Sequence, residues 1–298
     1  MGTPEFAVPG LKRLVEEGFN VVAVVTAPDK PQGRGKKLGT SAVKDYALTQ
    51  NIPILQPTNL KDPGFQEELR SYEADVQIVV AFRMLPEAVW NMPPLGSYNL
   101  HASLLPDYRG AAPINWAIIN GEKETGVTTF KLKHEIDTGN ILFQEKEPIH
   151  DDDTVGSLYE RLMNLGAELL VKTAKALEAD EVELKEQVVA EPKHAPKIFR
   201  EDCEINWNQP GTKVRNFIRG LSPYPAAWTT LHGQTFKVYF SEISDIEYND
   251  AAGTFKTDGK TYLDVVTADG ALRLTEVQLQ GKKRMHTGDF LRGYQWPS

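Results

Sequence analysis

Two short, nearly unbroken β-branched runs set the tightest limit on how this chain can fold. Residues 20–26 read NVVAVVT and residues 76–82 read VQIVVAF. Runs of this kind suit strands buried on both faces, as in sheets covered by helices on each side. They are far too short to cross a bilayer, which takes about 20 apolar residues. Helical patterns surround them. Residues 5–18 place Phe6, Ala7, Leu11, Leu14 and Val15 at helical spacing, with Gly18 as the stop. Residues 42–50, 64–71 and 113–120 read as further helices. Residues 52–55, 98–101, 127–132 and 141–149 read as strands, and Pro53 favours an edge position for the first of these. Strands alternating with helices predict an α/β architecture with a parallel-rich, doubly wound sheet.

Leu158, Leu162, Leu165 and Leu169 recur at three- and four-residue steps, predicting a long helix over residues 154–179 behind Asp152, Asp153 and Thr154. Residues 179–195 are acidic and irregular and read as a linker. The pattern then changes to short strands at residues 236–240, 253–256, 261–266 and 272–278, a small β-barrel domain. The 298 residues thus divide into a catalytic domain over 1–180, a linker over 181–199 and a barrel over 200–298.

The single cysteine, Cys203, excludes an intramolecular disulfide and a Cys-rich zinc site. No basic stretch followed by an apolar one opens the chain, so a soluble cytoplasmic protein is expected. The net charge of −8 argues against nucleic acid, but its distribution reverses that argument. Residues 151–191 hold eleven acids and four bases, whereas residues 30–44 hold five bases (Lys30, Arg34, Lys36, Lys37, Lys44) and no acid. Residues 193–237 hold seven bases against three acids. A polyanion can therefore dock locally on an acidic protein.

Three familiar motifs fail on spacing. Gly33, Gly35 and Gly39 miss the dinucleotide fingerprint by one residue. Gly35-Lys36-Lys37 lacks the P-loop's upstream glycine and following hydroxyl, and the Asp151–Asp153 run has Leu162 where a calcium loop needs glutamate. No G-x-S-x-G elbow is present, so covalent nucleophilic catalysis has little support. What remains is SYNLHASLLPDYRGAAP at residues 97–113, followed by HEIDTG at 134–139. On a strand, Asn99 and His101 share one face, at the carboxyl end where open α/β sheets place ligands. His101 alone also reads as a satisfied core histidine, and Asp137 alone as a turn residue. Together, Asn, His and Asp can stabilise an oxyanion and move a proton.

These segments closely resemble the 10-formyltetrahydrofolate-dependent formyltransferases, in which N-x-H, SLLP and a downstream D-T-G mark the site. The likeness continues in GTPEFA at residues 2–7, PDKPQGRGKKLGTS at 28–41, VVAF with MLP at 79–86, HAPKI at 194–198 and IRGLSPYPAAW at 218–228. It covers essentially the whole chain and is nearest to the members whose acceptor is methionyl-initiator tRNA. The resemblance implies a Rossmann-like domain followed by an OB-like barrel. It also implies direct, metal-free transfer of a formyl group from 10-formyltetrahydrofolate. Asn99 and a protonated His101 would be donors to the developing oxyanion. Asp137 would support the imidazolium and take up the amine's proton through water. Ser103, Leu104, Leu105 and Pro106 would line the folate site, with backbone of Arg83, Met84, Leu85 and Ile136 near the pterin. Arg34, Lys36 and Lys37 would reach the tRNA acceptor arm. Lys193, Lys197, Arg200, Lys213, Arg215 and Arg219, with a second patch at Lys282–Arg284, would meet its backbone. Tyr224 and Trp228 read equally as packing residues or base-stacking platforms. A monomer is expected, without membrane association. A formyltransferase for a small amine, a formate-releasing hydrolase and a non-catalytic tRNA-binding module are the alternatives. One departure stands out. The family has a short inner strand before GTPEFA, whereas Met1 directly precedes Gly2 here. Unpaired ladder groups, and either reduced stability or a gap filled by another segment, are expected there.

Overall fold

The computed structural model describes residues 1–32, 37–188 and 191–296. It divides into two compact units that interleave along the chain: Met1–Gly110, Thr125–Glu147 and Tyr159–His194 form one, and Ala111–Glu124, Pro148–Leu158 and Ala195–Ser298 the other.

In the first unit a 3-10 turn (Glu5–Ala7) leads into α1 (Val8–Glu16), then β1 (Val24–Val25) and a hairpin of β2 (Lys30–Gln32) and β3 (Lys37–Gly39). Next come α2 (Ala42–Thr49), β4 (Ile54–Leu55), α3 (Pro63–Ser71), β5 (Gln77–Val80), α4 (Glu87–Trp90), β6 (Ser97–His101) and β7 (Arg109–Gly110). The helix starts follow from their caps: Ser41 Oγ accepts the Lys44 N–H at 3.1 Å, and Asp62 Oδ2 accepts the Phe65 N–H at 2.9 Å. After α5 (Pro113–Ile119), which belongs to the second unit, β8 (Glu124–Lys131) and β9 (Ile141–Pro148) complete the sheet, and α6 (Val155–Glu178) follows. Leu162, Leu169 and Leu170 of α6 are buried. Gly166 admits Leu100 of β6, and Gly10 of α1 admits Leu170; a Cβ on either glycine would overlap the leucine.

The sheet is mixed rather than parallel-rich. β5 and β6 are parallel, with Val79 opposite Asn99, but β6 and β8 are antiparallel, with Asn99 opposite Phe130. β8 and β9 are joined by residues 132–140 alone, too few for the crossover that a parallel pair requires. The sheet also divides. β1 pairs only with β4, in parallel, while β5-β6-β8-β9 form a separate four-stranded ladder. Met1 and Gly2 bridge the two. The Gly2 N–H donates to Val25 O at 3.0 Å, and the Val80 N–H donates to Met1 O at 2.9 Å. The Met1 amine donates to Ile78 O at 2.6 Å, and its burial pushes its pKa down to about 5. Of the seven-residue run expected as a strand, β1 takes in Val24 and Val25, the Thr26 N–H donates to Leu55 O at 3.0 Å, and Val21 and Val22 stay half-buried. A strand forms only as far as it has a neighbour to bond.

The second unit, after the short β10 (His194–Ala195), contains α7 (Gly211–Leu221) and an antiparallel sheet. Its order is β11 (Ala227–Leu231), β12 (Gln234–Ile243), β15 (Ala271–Leu279), β14 (Leu263–Val266) and β13 (Phe255–Thr257), and β16 (Met285–His286) pairs with β15. α8 (Thr287–Gly293) follows. Among the described residues no ladder joins β11 to β13, so the expected barrel is a curled, open sheet. Register shifts at Val238, Phe240 and Ser241 bend β12 around a core of Ile218, Leu221, Phe236, Val265 and Val277.

Candidate active site

β6 ends in the site. Tyr98 and Leu100 point into the core, at 1% and 4% exposure, and Asn99 and His101 alternate to the other face. Asn99 is half-buried and its amide has no hydrogen-bond partner among the described residues, so it is free to meet a ligand. His101 is buried and lies with Nε2 2.8 Å from Tyr108 O. A carbonyl only accepts, so Nε2 carries a hydrogen, and Nδ1 is the ring nitrogen left for chemistry. Nδ1 lies 4.0 Å from Asp137 Oδ2. That is too long for a hydrogen bond between them.

Asp137 occupies the left-handed region at φ 54°, a conformation costly for a residue with a side chain. Its Oδ2 accepts the Gly110 N–H at 3.0 Å. Gly139 must be glycine: a Cβ there would overlap the Lys131 carbonyl oxygen and stand 3.0 Å from Phe130 Cδ2. The loop 102–108 is clamped from beneath. Thr128 Oγ1 donates to Ser103 O at 2.6 Å and accepts from Leu105 N–H at 3.1 Å, and Gln144 Nε2 donates to Leu105 O at 2.8 Å. Ser103 and Leu105 are buried, and Ser103 Oγ donates to Asp107 O. These side chains therefore set the loop's shape, while half-buried Leu104 and Pro106 remain toward its surface.

Around this centre, Met84 and Ile136 are 74% and 65% exposed, unusually open for large apolar residues, while Leu85 is buried. The Arg83 guanidinium is tied to Pro57 O and Thr58 O. A cleft of about 560 Å³ opens beside it, lined by Thr3, Ala27, Pro28, Asp29, Lys30, Thr58, Phe82 and Arg83. Among the described residues no cluster of His, Cys, Asp and Glu could hold a metal ion, and no helix is long and apolar enough to cross a membrane.

Arg34 and Lys36 lie outside the described residues, and Lys37 begins β3. The basic residues of the second unit separate into two groups. Lys197, Arg200 and Lys213 are exposed, and Lys197 Nζ sits 5.0 Å from the Phe199 ring centre. Arg215 donates to Asp151 O at 2.9 Å and to Ser241 O at 3.3 Å. Arg219 differs from the exposed residues of the expected set: it is buried at 6% exposure and donates from Nη1 to His150 O and Asp153 O and from Nε to Asn216 Oδ1, at 2.9–3.1 Å. Burial, aided by Arg215, lowers its pKa. Arg284 of the second patch is neutralised by Glu276 through two bonds of 2.6–2.7 Å. Tyr224 stands 82% exposed, while Trp228 spends its indole N–H on Arg200 O.

Sequence reasoning missed Tyr108, Gly110, Thr128 and Gln187. Tyr108 acts through its carbonyl and Gly110 through its amide, which no side chain advertises. Gln187 lies in the stretch read as a linker.

The site thus sets an Asn-x-His strand end opposite a carboxylate on a loop, in an α/β unit followed by a curled β sheet. Comparison with known proteins places the chain in a family. Residues 1–174 match the Formyl transferase family, and residues 197–295 match the Formyl transferase, C-terminal domain family. The chain belongs to the formyl transferase family. It is 55% identical over 305 residues to the methionyl-tRNA formyltransferase of Parabacteroides distasonis, covering 99% of this chain and 94% of that one. It is 54% identical over 303 residues to that of Bacteroides thetaiotaomicron, with the same coverage. Among solved structures, the sugar 3N-formyl transferase WlaRD, in the presence of dTDP and 5-N-formyl-THF, shares the fold with a TM-score of 0.68 at 22% identity. The match covers 95% of this chain and 97% of that one. HypX from Aquifex aeolicus, in complex with tetrahydrofolic acid, matches with a TM-score of 0.60 at 19% identity over 83% of this chain and 43% of its own.

Proposed function

We propose that this protein transfers the formyl group of 10-formyltetrahydrofolate to the α-amine of methionyl-initiator tRNA. The observation that carries the chemistry is the arrangement of Asn99, His101 and Asp137. Among the described residues the Asn99 amide has no hydrogen-bond partner, and of the two His101 ring nitrogens Nδ1 is the one not committed to a backbone carbonyl. The amine attacks the formyl carbon, a C–N bond forms, and the bond from that carbon to N10 of the folate breaks, N10 leaving with the electron pair and taking up a proton that replaces the one the amine loses. As negative charge develops on the formyl oxygen, the Asn99 amide and a protonated Nδ1–H donate to it. Asp137 Oδ2 stabilises the imidazolium and receives, through water, the proton lost by the amine. No side chain forms a bond to the substrate.

Apolar Met84 and Ile136, with the backbone of Arg83 and Leu85, suit a flat heteroaromatic ring, and the 560 Å³ cleft has the size of a small-molecule site. The tRNA reading rests on the 28–41 loop, with Arg34, Lys36 and Lys37, and on exposed Lys197, Arg200 and Lys213. The high identity to methionyl-tRNA formyltransferases supports it and weighs against a small-amine acceptor. The same reading has the chain acting as a monomer in the cytoplasm.

Formyl transfer to methionyl-tRNA is the test, with His101→Ala and Arg34→Ala beside the parent. His101→Ala should fail with every acceptor, and Arg34→Ala chiefly through a raised KM for tRNA. A parent that formylates small amines but not methionyl-tRNA would overturn the acceptor assignment and leave the chemistry standing.

A further inference from the structure

The described residues 185–188 and 191–193 of the stretch read as a linker are bonded to the rest of the first unit at both ends. Lys185 exchanges two backbone hydrogen bonds with Ile141, at 2.7 and 2.8 Å. At its other end, Lys193 O accepts the Tyr108 N–H at 2.6 Å, and the Lys193 N–H donates to Asp107 Oδ1 at 3.1 Å. Tyr108 is the residue whose carbonyl holds His101. Between these anchors sits Gln187, half-buried. Its Nε2 donates to Asp137 O at 3.0 Å and to Gly139 O at 2.7 Å. Its Oε1 accepts from Arg109 Nε at 3.1 Å and Nη2 at 2.7 Å. Both amide hydrogens and both lone pairs are therefore used.

The two segments joined in this way are the two that fix the Asp137 carboxylate. One carries Asp137 itself, held at φ 54°. The other carries Gly110, next to Arg109, whose N–H binds Asp137 Oδ2. A non-glycine residue keeps a left-handed backbone only where its surroundings over-determine it, and Gln187 supplies two of the bonds that do so. We propose that Gln187 is a positioning residue for formyl transfer, holding the Asp137 carboxylate in register with His101. This rests on the reading of Asp137 given above. Gln187 touches no reacting atom, so its loss should be felt through Asp137.

The test uses the full-length enzyme in single-turnover transfer to methionyl-tRNA, with Gln187→Met, Gln187→Glu, Asp137→Asn and the Gln187→Met/Asp137→Asn double variant. Gln187→Met fills the space without hydrogen bonds. Gln187→Glu still accepts from Arg109 but offers no hydrogens to the two carbonyls. Both should lower kcat by about 10–100-fold, the scale of a displacement near 1 Å at a reacting centre, with KM for both substrates little changed. The double variant should be no slower than Asp137→Asn, because both substitutions remove one function. Parental kcat in both Gln187 variants beside a crippled Asp137→Asn would overturn the proposal, as would losses that multiply in the double variant. Parental activity in Asp137→Asn would instead overturn the reading of Asp137, and the positioning role with it.

Discussion

Gly139→Ala adds one methyl group at the tightest point of the site. The new Cβ would lie 2.9 Å from the Lys131 carbonyl carbon, closer still to its oxygen, and 3.0 Å from Phe130 Cδ2. None of these can give way cheaply. Phe130 is wholly buried, and the Lys131 N–H is bonded to Asn140 O at 2.9 Å, so the strand and the loop are locked together. The loop must retreat, and relieving overlap with a carbonyl requires about 1 Å, a displacement that costs on the order of 100-fold in rate when it reaches a catalytic group. Overpacking of this kind also costs about 1–3 kcal/mol of stability. The expected result is a folded enzyme with a modestly lowered melting midpoint, a kcat reduced about 100-fold and substrate KM values changed far less. Gly270→Ala is the control, since a Cβ there meets nothing within 4 Å. Parental kcat in Gly139→Ala would refute the steric argument. An equal loss in Gly270→Ala would show that the assay reads general damage.

Two further outcomes follow from buried charges in the second unit. Arg219→Ala removes the bonds from its guanidinium to His150 O and Asp153 O and should cost about 1–3 kcal/mol in denaturant unfolding. Below its melting range it should leave tRNA affinity unchanged; a loss of affinity without a loss of stability would return Arg219 to the RNA-binding set. Asp264 is fully buried, which raises its pKa. The bonds it accepts from Arg273, Ser244 and Tyr248 outweigh that and hold it below the usual range. A carboxylate with a depressed folded pKa contributes stability in full above its unfolded value of about 4 and loses it as pH falls through the folded value. The parent should therefore lose melting temperature below about pH 4 more steeply than Asp264→Asn, and parallel curves would contradict this assignment.

Periodicity and local chemistry were enough to read much of the molecule. The helices over 42–50 and 154–179, the strand ending in Asn99 and His101, and the Pro53 edge strand are visible because each rests on signals within a few residues: caps, apolar spacing, a missing N–H. The structure brings His101 and Asp137, read as a pair from the sequence, to within 4.0 Å of each other. Less legible were α7 and β11, whose apolar faces are short and are completed by distant strands. The extent of β1 was misjudged outright, because residues 20–23 have strand-like composition and no neighbour to pair with.

Residue types and their alternation along a strand belong to the sequence, because they depend on covalent geometry and nearest neighbours; the Gly139 requirement does not, since it comes from Phe130 and Lys131 on the facing strand. Which ring nitrogen of His101 is committed to a carbonyl does not either. It depends on Tyr108, whose own N–H is held by the carbonyl of Lys193, much later in the chain. The same holds for Arg219, a cation that reads as an RNA contact until burial assigns it to carbonyls about 66 residues away in the chain. Gln187 is the clearest case. An amide in an acidic, irregular stretch carries no local pattern, and only the return of the chain across residues 109 and 137–139 gives its four hydrogen-bonding sites their partners. Hydrogen bonds made at long sequence separation leave no periodicity behind, so tertiary structure alone decides them.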